Sequence, residues 1–278
     1  MAPSTTATRS LLALLVVTSS AALAAAGEAD PVARIVRAAA VYGTAAELSS
    51  LAAVKESCGA DGLCAARRLV AASDGRMRLE AVDHPATDTI RWVETAASVT
   101  AVHEGRDGRR WIALDGFGRT AEREVAQILA GAAADGAPLG LDLRGNAGGD
   151  FGRMLRVAAL FTGDTRDALF LIDNEGKRSV SLVANRAVAG PRDLPVLVGP
   201  GTASSAEVLA ALLQRYAGAR LAGSRTAGKD RLTRVIAVDH DWRLLVPAER
   251  IEVPGVELTG GLRPAESPPA DAPPERQS

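Results

Sequence analysis

The chain has 278 residues, 47% hydrophobic and only 3% aromatic, with 32 basic and 33 acidic side chains and a formal net charge of −1. That balance gives no electrostatic footprint for nucleic acid or an anionic membrane surface, and so few rings make stacking platforms for bases improbable. Two cysteines, and three histidines without ligand spacing (His84, His103 and His240), supply no basis for a metal centre.

Residues 1–26 read as a cleavable export signal. Arg9 is the positive start, 11–17 form an apolar stretch, and Ala24, Ala25 and Ala26 are the small residues of a cleavage site. The apolar run is interrupted by Thr18, Ser19 and Ser20, which disfavours a permanent transmembrane helix. The expectation is a periplasmic or secreted protein that meets a membrane only through this segment. Residues 30–72 carry Ala- and Leu-rich helical periodicity, opened by Pro31 in a first turn. Cys58 and Cys64 fall inside this stretch. In an oxidising compartment they can close a short disulfide loop, and otherwise they are two reduced thiols.

The texture then changes. Residues 89–94, 98–103 and 109–115 alternate like strands. Thr120 to Arg123 resembles a capping signature and opens a helix to about residue 134. A buried-looking strand at 139–143 runs into a glycine-rich turn, and a helix follows near 151–161. Segments 168–173 and 180–184 flank a turn at 174–177 as a hairpin. A strand at 195–198, a helix at about 203–217 and a strand at 220–222 come next, then a strand pair at 235–238 and 244–246. Residues 264–278, with five prolines and several charges, read as a disordered tail. Alternating strands and helices over 110–225 predict an α/β core with a largely parallel sheet and a site at the carboxyl ends of its strands. The domain reading is a helical lead-in with strands over 27–104 and an α/β core over 105–263.

Ser204 follows a strand broken by Gly199-Pro-Gly201, and Lys229 stands 25 residues later, after a second short strand and a Gly-containing loop. Arginine supplies nearly all the positive charge, and only Lys55, Lys177 and Lys229 are lysines. A desolvated lysine can lose its proton, whereas arginine in practice cannot. An exposed lysine titrates near about 10.4, and burial against apolar strands lowers that value. A neutral lysine can then serve as the base for a serine hydroxyl. Thr202, Ser204 and Ser205 are equally suited to capping the helix, and Ser205 competes with Ser204 for the nucleophile's role.

Three blocks, Leu141-Asp-Leu-Arg-Gly-Asn-Ala-Gly-Gly149, Val196-Leu-Val-Gly-Pro-Gly-Thr-Ala-Ser-Ser-Ala-Glu-Val208 and Gly223-Ser-Arg-Thr-Ala-Gly-Lys229, together resemble the tail-specific (C-terminal processing) serine peptidases, over roughly 105–265. The resemblance implies a crotonase/Clp-like core and a serine endopeptidase acting on protein or peptide substrates without a cofactor. It puts the nucleophile at Ser204 and the base at Lys229. It also supports an oxyanion hole made by the backbone N–H groups of Ser205 and of Gly149 or Gly148. Glu207 matches a family glutamate that could order the helix start, although a first-turn glutamate also suits the helix dipole. Asp142 and Arg144 would brace the turn as an ion pair. Two departures stand out. Many family members place a glutamine four residues after the lysine, where this chain has the shorter Thr233. Residues 27–105 are also too few for both a helical segment and the family's PDZ module. Those departures motivate an alternative: a catalytically silent member that binds a peptide or an apolar ligand in the same cleft.

Overall fold

A computed structural model describes residues 30–73, 75–82, 97–105, 107–184 and 193–274. The expected signal segment, His84 and the strand expected at 89–94 lie outside the described residues. No described helix is long and apolar enough to cross a membrane.

Three helices open the described residues: α1 (Pro31–Tyr42), α2 (Ala45–Cys58) and α3 (Gly62–Ala72). Asp30 caps α1, its carboxylate accepting the Val32 N–H at 2.9 Å, with Pro31 in the first turn where no N–H is required. The Cys58 and Cys64 sulfurs are bonded to each other between α2 and α3. Among the described residues, ten strands and three more helices follow: β1 (Arg78–Ala81), β2 (Val99–Glu104), β3 (Arg110–Leu114), α4 (Ala121–Asp135), β4 (Leu139–Asp142), α5 (Phe151–Thr162), β5 (Thr165–Asp173), β6 (Gly176–Leu182), β7 (Pro195–Val198), α6 (Ser205–Tyr216), β8 (Arg220–Gly223), β9 (Arg231–Ala237) and β10 (Trp242–Glu252).

The strands form two sheets. One runs β2-β3-β4-β7-β8, parallel except for the antiparallel β2–β3 pair. The other is antiparallel, β1-β10-β5-β6, with β9 also on β10. A parallel sheet needs cover on both faces. On one face Ile112, Leu114, Leu141, Val196, Val198 and Leu221 pack with α4, α5 and α6 in the main core. The long strand β10 belongs to two cores. Leu244 and Val246 pack beneath α1 and α3, Ile251 joins the main core, and the register shifts between Pro247 and Arg250. The result is an α/β core with a small helical N-terminal unit docked on one end of the antiparallel sheet.

Two expectations change. Thr120 sits at the N-cap of α4, but its hydroxyl makes no capping bond there. In that first turn Glu124 instead takes the N–H groups of Ser98 and Val99 at 2.9 and 2.8 Å, tying the helix to β2. The expected disordered tail is also corrected: residues 264–274 lie against the parallel sheet. Glu266 bridges Ala222 of β8, Ala272 packs on Trp111 and Leu197, and Pro273 is buried. Composition suggested disorder because it counts few apolar side chains, whereas this segment is held largely through carbonyl and carboxylate oxygens.

Candidate active site

Parallel strands β4, β7 and β8 end at one edge, and the turns leaving them meet there. Thr202, fully buried, fastens two of these turns together. Its hydroxyl donates to the Leu143 carbonyl at 2.8 Å and accepts the Gly199 N–H at 3.0 Å. Ala203 N–H donates to Asn146 O at 3.0 Å, and the third turn is tied in by Ala227 N–H on Thr202 O, also 3.0 Å.

The chain then delivers Ser204 with φ +56° and ψ −123°, one of two non-glycine residues with positive φ among the described residues. Such a conformation costs on the order of 1–3 kcal/mol and persists only where the surroundings over-determine it. Those surroundings centre on Glu207, 1% exposed. Its Oε2 accepts the Ser204 N–H at 2.9 Å and the Lys229 N–H at 2.8 Å. Its Oε1 accepts the Gly228 N–H at 2.7 Å and the Thr226 hydroxyl. The sequence suggested only a helix-start role for this glutamate. In the fold one carboxylate oxygen holds the backbones of both sequence-assigned reacting residues. Thr226 also accepts the Leu262 N–H at 2.8 Å, which brings Gly260–Gly261 against the lysine loop. A Cβ on Gly228 would stand 2.8 Å from the Gly260 carbonyl carbon, so glycine is required there.

Ser205 separates cleanly from Ser204. It is buried, and its hydroxyl donates to the Gly149 carbonyl at 3.0 Å, whereas Ser204 is half-buried at the cleft. Gly148 (φ +107°) and Gly149 (φ +139°) adopt backbone that disfavours side chains, and a Cβ on Gly148 would stand 3.0 Å from the Ser204 Cβ. The Gly148 N–H donates to Asn146 Oδ1 at 2.9 Å, which commits it to the turn and corrects its candidacy as an oxyanion donor. Asn146 is fully buried, and its amide also donates to Leu114 O at 3.0 Å. Asn146, Thr202 and Thr226 all stand inside the quoted sequence blocks. Nothing in their spacing announced their roles, because each acts through backbone contacts across loops.

Lys229 departs from expectation. Its side chain is exposed rather than buried against apolar strands, and no hydrogen bond joins its Nζ to Ser204 Oγ. Glu207 fixes the lysine through its backbone and leaves the amine at the open side of the cleft. Thr233 is exposed on β9, paired with Pro247, and makes no hydrogen bond to that amine. His103 is exposed on β2. His240, also exposed, lies in the β9–β10 turn with its Nε2 3.1 Å from Asp241. In that turn Asp239, His240 and Asp241 bring their ligand atoms within 4.8 Å of one another, but the Asp239 carboxylate is occupied by the N–H groups of Asp241 and Trp242.

The fold and the three convergent turns are those of a peptidase core, and comparison with known proteins agrees. Peptidase family S41 matches residues 111–262, more than half of the chain, and the chain belongs to that family. Among curated relatives, the chloroplastic C-terminal processing peptidase of Tetradesmus obliquus is 33% identical over 123 residues, 44% of this chain and 26% of that protein. The carboxyl-terminal-processing protease of Synechocystis is 32% identical over 145 residues, 52% of this chain and 34% of that protein. The chain thus spans about a third or less of the length of these two relatives. Among solved structures, a photosystem II D1 C-terminal processing protease superposes with a TM-score of 0.53 at 24% identity, covering 69% of this chain and 48% of that one. A lipoprotein from Streptococcus agalactiae reaches a TM-score of 0.62 at 14% identity, covering 87% and 91%. At those identities the likeness is one of fold.

Proposed function

We propose that the chain is an exported serine endopeptidase in which Ser204 and Lys229 form a Ser-Lys pair. The observation that carries this reading is the shared Glu207 oxygen, which holds the N–H groups of both residues at a strained, glycine-lined turn. In the reaction, Ser204 Oγ attacks the substrate's carbonyl carbon as the Lys229 amine takes the hydroxyl proton. The Ser205 and Gly149 N–H groups face the developing oxyanion. Collapse of the tetrahedral intermediate breaks the C–N bond, and the lysine returns the proton to the leaving amine. Water, deprotonated by the same lysine, then releases the acyl group from Ser204. No step calls on a metal or an organic cofactor.

The exposed amine defines what the substrate must contribute. A polypeptide laid across Ser204 would have to cover the Lys229 amine and exclude water from it. Export follows from the segment at 1–26. The same exposure favours a second reading, a silent member that binds peptide without cleaving it. Proteolysis of casein by the mature protein, beside its Ser204→Ala and Lys229→Ala variants, separates the two. Cleavage by the wild type alone, with both variants folded, is expected. Casein bound but left intact by all three establishes the binding role instead.

A further inference from the structure

The segment beyond the family match is anchored at two places, around Glu266 and over 271–274. The Glu266 carbonyl accepts the Gly223 N–H at 3.0 Å, and its carboxylate pairs with Arg220 at 2.7 Å. The chain then crosses the face of the parallel sheet opposite the described helices α4, α5 and α6. There Ala272 covers Trp111, Leu197 and Ala222. Trp111 is completely buried, its ring lying over Gly140, where a Cβ would come within 2.5 Å of it. Its indole N–H donates to Asp271 Oδ2 at 3.2 Å, and Arg109 Nε stands 3.6 Å from the same oxygen. The Pro273 and Pro274 carbonyls accept from Arg144 Nη2 at 2.8 and 3.3 Å.

Arg144 is the link to the site. Its guanidinium grips Asp142 in a two-pronged pair, Nε to Oδ1 at 3.0 Å and Nη2 to Oδ2 at 2.8 Å. The Arg144 carbonyl faces Gly201, where a Cβ would meet it at 2.4 Å, and its Cγ would lie 3.8 Å from a Cβ on Gly199. Both glycines belong to the turn that presents Ser204, while Arg144 itself opens the turn that holds Asn146, Gly148 and Gly149. A guanidinium that cannot shed its charge needs acceptors wherever water is excluded. Asp142 supplies them on one side and the proline carbonyls on the other.

We propose that residues 264–274 are an intramolecular strap that holds Arg144 in place and through it positions the two turns framing Ser204. Arg144 is a positioning residue, and the strap touches no substrate. The activity arm of the test rests on the peptidase reading, and the exchange arm does not.

The test compares the full chain, a variant ending at Ser267, and Asp271→Ala in the full chain, by amide hydrogen exchange and by peptidase kinetics. Exchange at 144–149 and 199–205 should quicken at least tenfold on truncation and by a smaller factor in Asp271→Ala. kcat should fall at least fivefold with KM within twofold, and a synthetic peptide of residues 268–278 should restore both quantities to the truncated chain. Unchanged exchange at the two turns overturns the proposal, as does acceleration spread evenly over the sheet. Should the truncated chain fail to fold, Asp271→Ala decides by the same exchange criterion. If the wild type cleaves nothing, the peptidase reading fails while the exchange result still decides the strap.

Discussion

Glu207 and Glu249 are both closed off from water, and the fold satisfies them in opposite ways. Glu207, among the turns of the parallel sheet, takes three backbone N–H groups and one hydroxyl. Glu249, on β10 of the antiparallel sheet, takes the guanidinium groups of Arg234 and Arg178. Backbone donors fix where the main chain runs, which suits a place where reacting groups must be set to a fraction of an ångström. Guanidinium donors fix side chains and join separate elements. Tyr42, at the end of α1, stands beside this second cluster. Burial, and then the charge of Glu249, push its hydroxyl above the ordinary tyrosine value. One glutamate therefore gathers the turns around Ser204, and the other joins β6 and β9 to β10, with Tyr42 of α1 beside them.

Removing the first should have the largest effect. Glu207→Ala leaves the Ser204, Gly228 and Lys229 N–H groups and the Thr226 hydroxyl without their acceptor. Each unsatisfied buried group costs about 1–3 kcal/mol. A loss of at least ~4 kcal/mol is expected, with peptidase activity below detection. Thermal melting and casein cleavage check both, and a melting temperature within a few degrees of wild type would remove Glu207 from the centre of the site. Glu207→Gln sharpens the point: its one acceptor oxygen can serve either the Ser204 and Lys229 N–H groups or the Gly228 N–H and Thr226 hydroxyl, but not both, so it should retain only part of the stability.

The second glutamate carries a pH signature. Burial works against its charge, yet the Arg234 hydrogen bond and the charges of Arg234 and Arg178 outweigh it and hold its carboxyl below the ordinary value of 4.5. A depressed carboxyl contributes its full stabilisation above the unfolded value, and the contribution fades as pH falls through the lower folded value. Glu249→Gln should therefore lose ~3 kcal/mol at neutral pH, the scale of breaking a buried pair from one side. Its denaturant midpoint should also fall less steeply than that of the wild type below about pH 4.5. Equal slopes in the two proteins would mean that the cluster does not stabilise the sheet as a charged pair.

The two regions were unequally legible in the sequence. Strand-to-turn-to-helix punctuation around Gly148–Gly149 and Gly199–Gly201 marked the candidate site, and at Gly148, Gly149 and Gly201 the conformation or the close approach requires glycine. The turn that presents Ser204 was readable for the same reason. The exposure of Lys229 was not readable, since its loop is aimed by backbone hydrogen bonds to a residue 22 positions away. Nor was the strap, which the open face of a parallel sheet demands but whose prolines resemble those of a disordered tail. The Glu249 cluster joins residues 71 and 15 positions apart in sequence, on strands that a hydrophobic pattern cannot pair.

The smallest effect should come from the Cys58–Cys64 bond, and it tests whether the two regions are independent. The bond closes a loop of sequence separation 6, for which chain-entropy arguments give about 2 kcal/mol. The turn it spans is already ordered. Asp61 N–H donates to the Cys58 carbonyl at 2.9 Å, and the Asp61 carboxylate caps α3 through the Cys64 N–H at 3.0 Å. Both cysteines belong to the N-terminal helices, whose core is separate from the one that packs beneath Ser204. Cys58→Ser with Cys64→Ser should therefore lower the stability of α1–α3, read by hydrogen exchange in those helices, and leave casein cleavage within twofold of wild type. A fall in cleavage that tracks the loss of helix protection would show instead that the helical unit reaches the site. The route for that coupling would run through Arg234 on β9, the strand that begins two residues after Lys229.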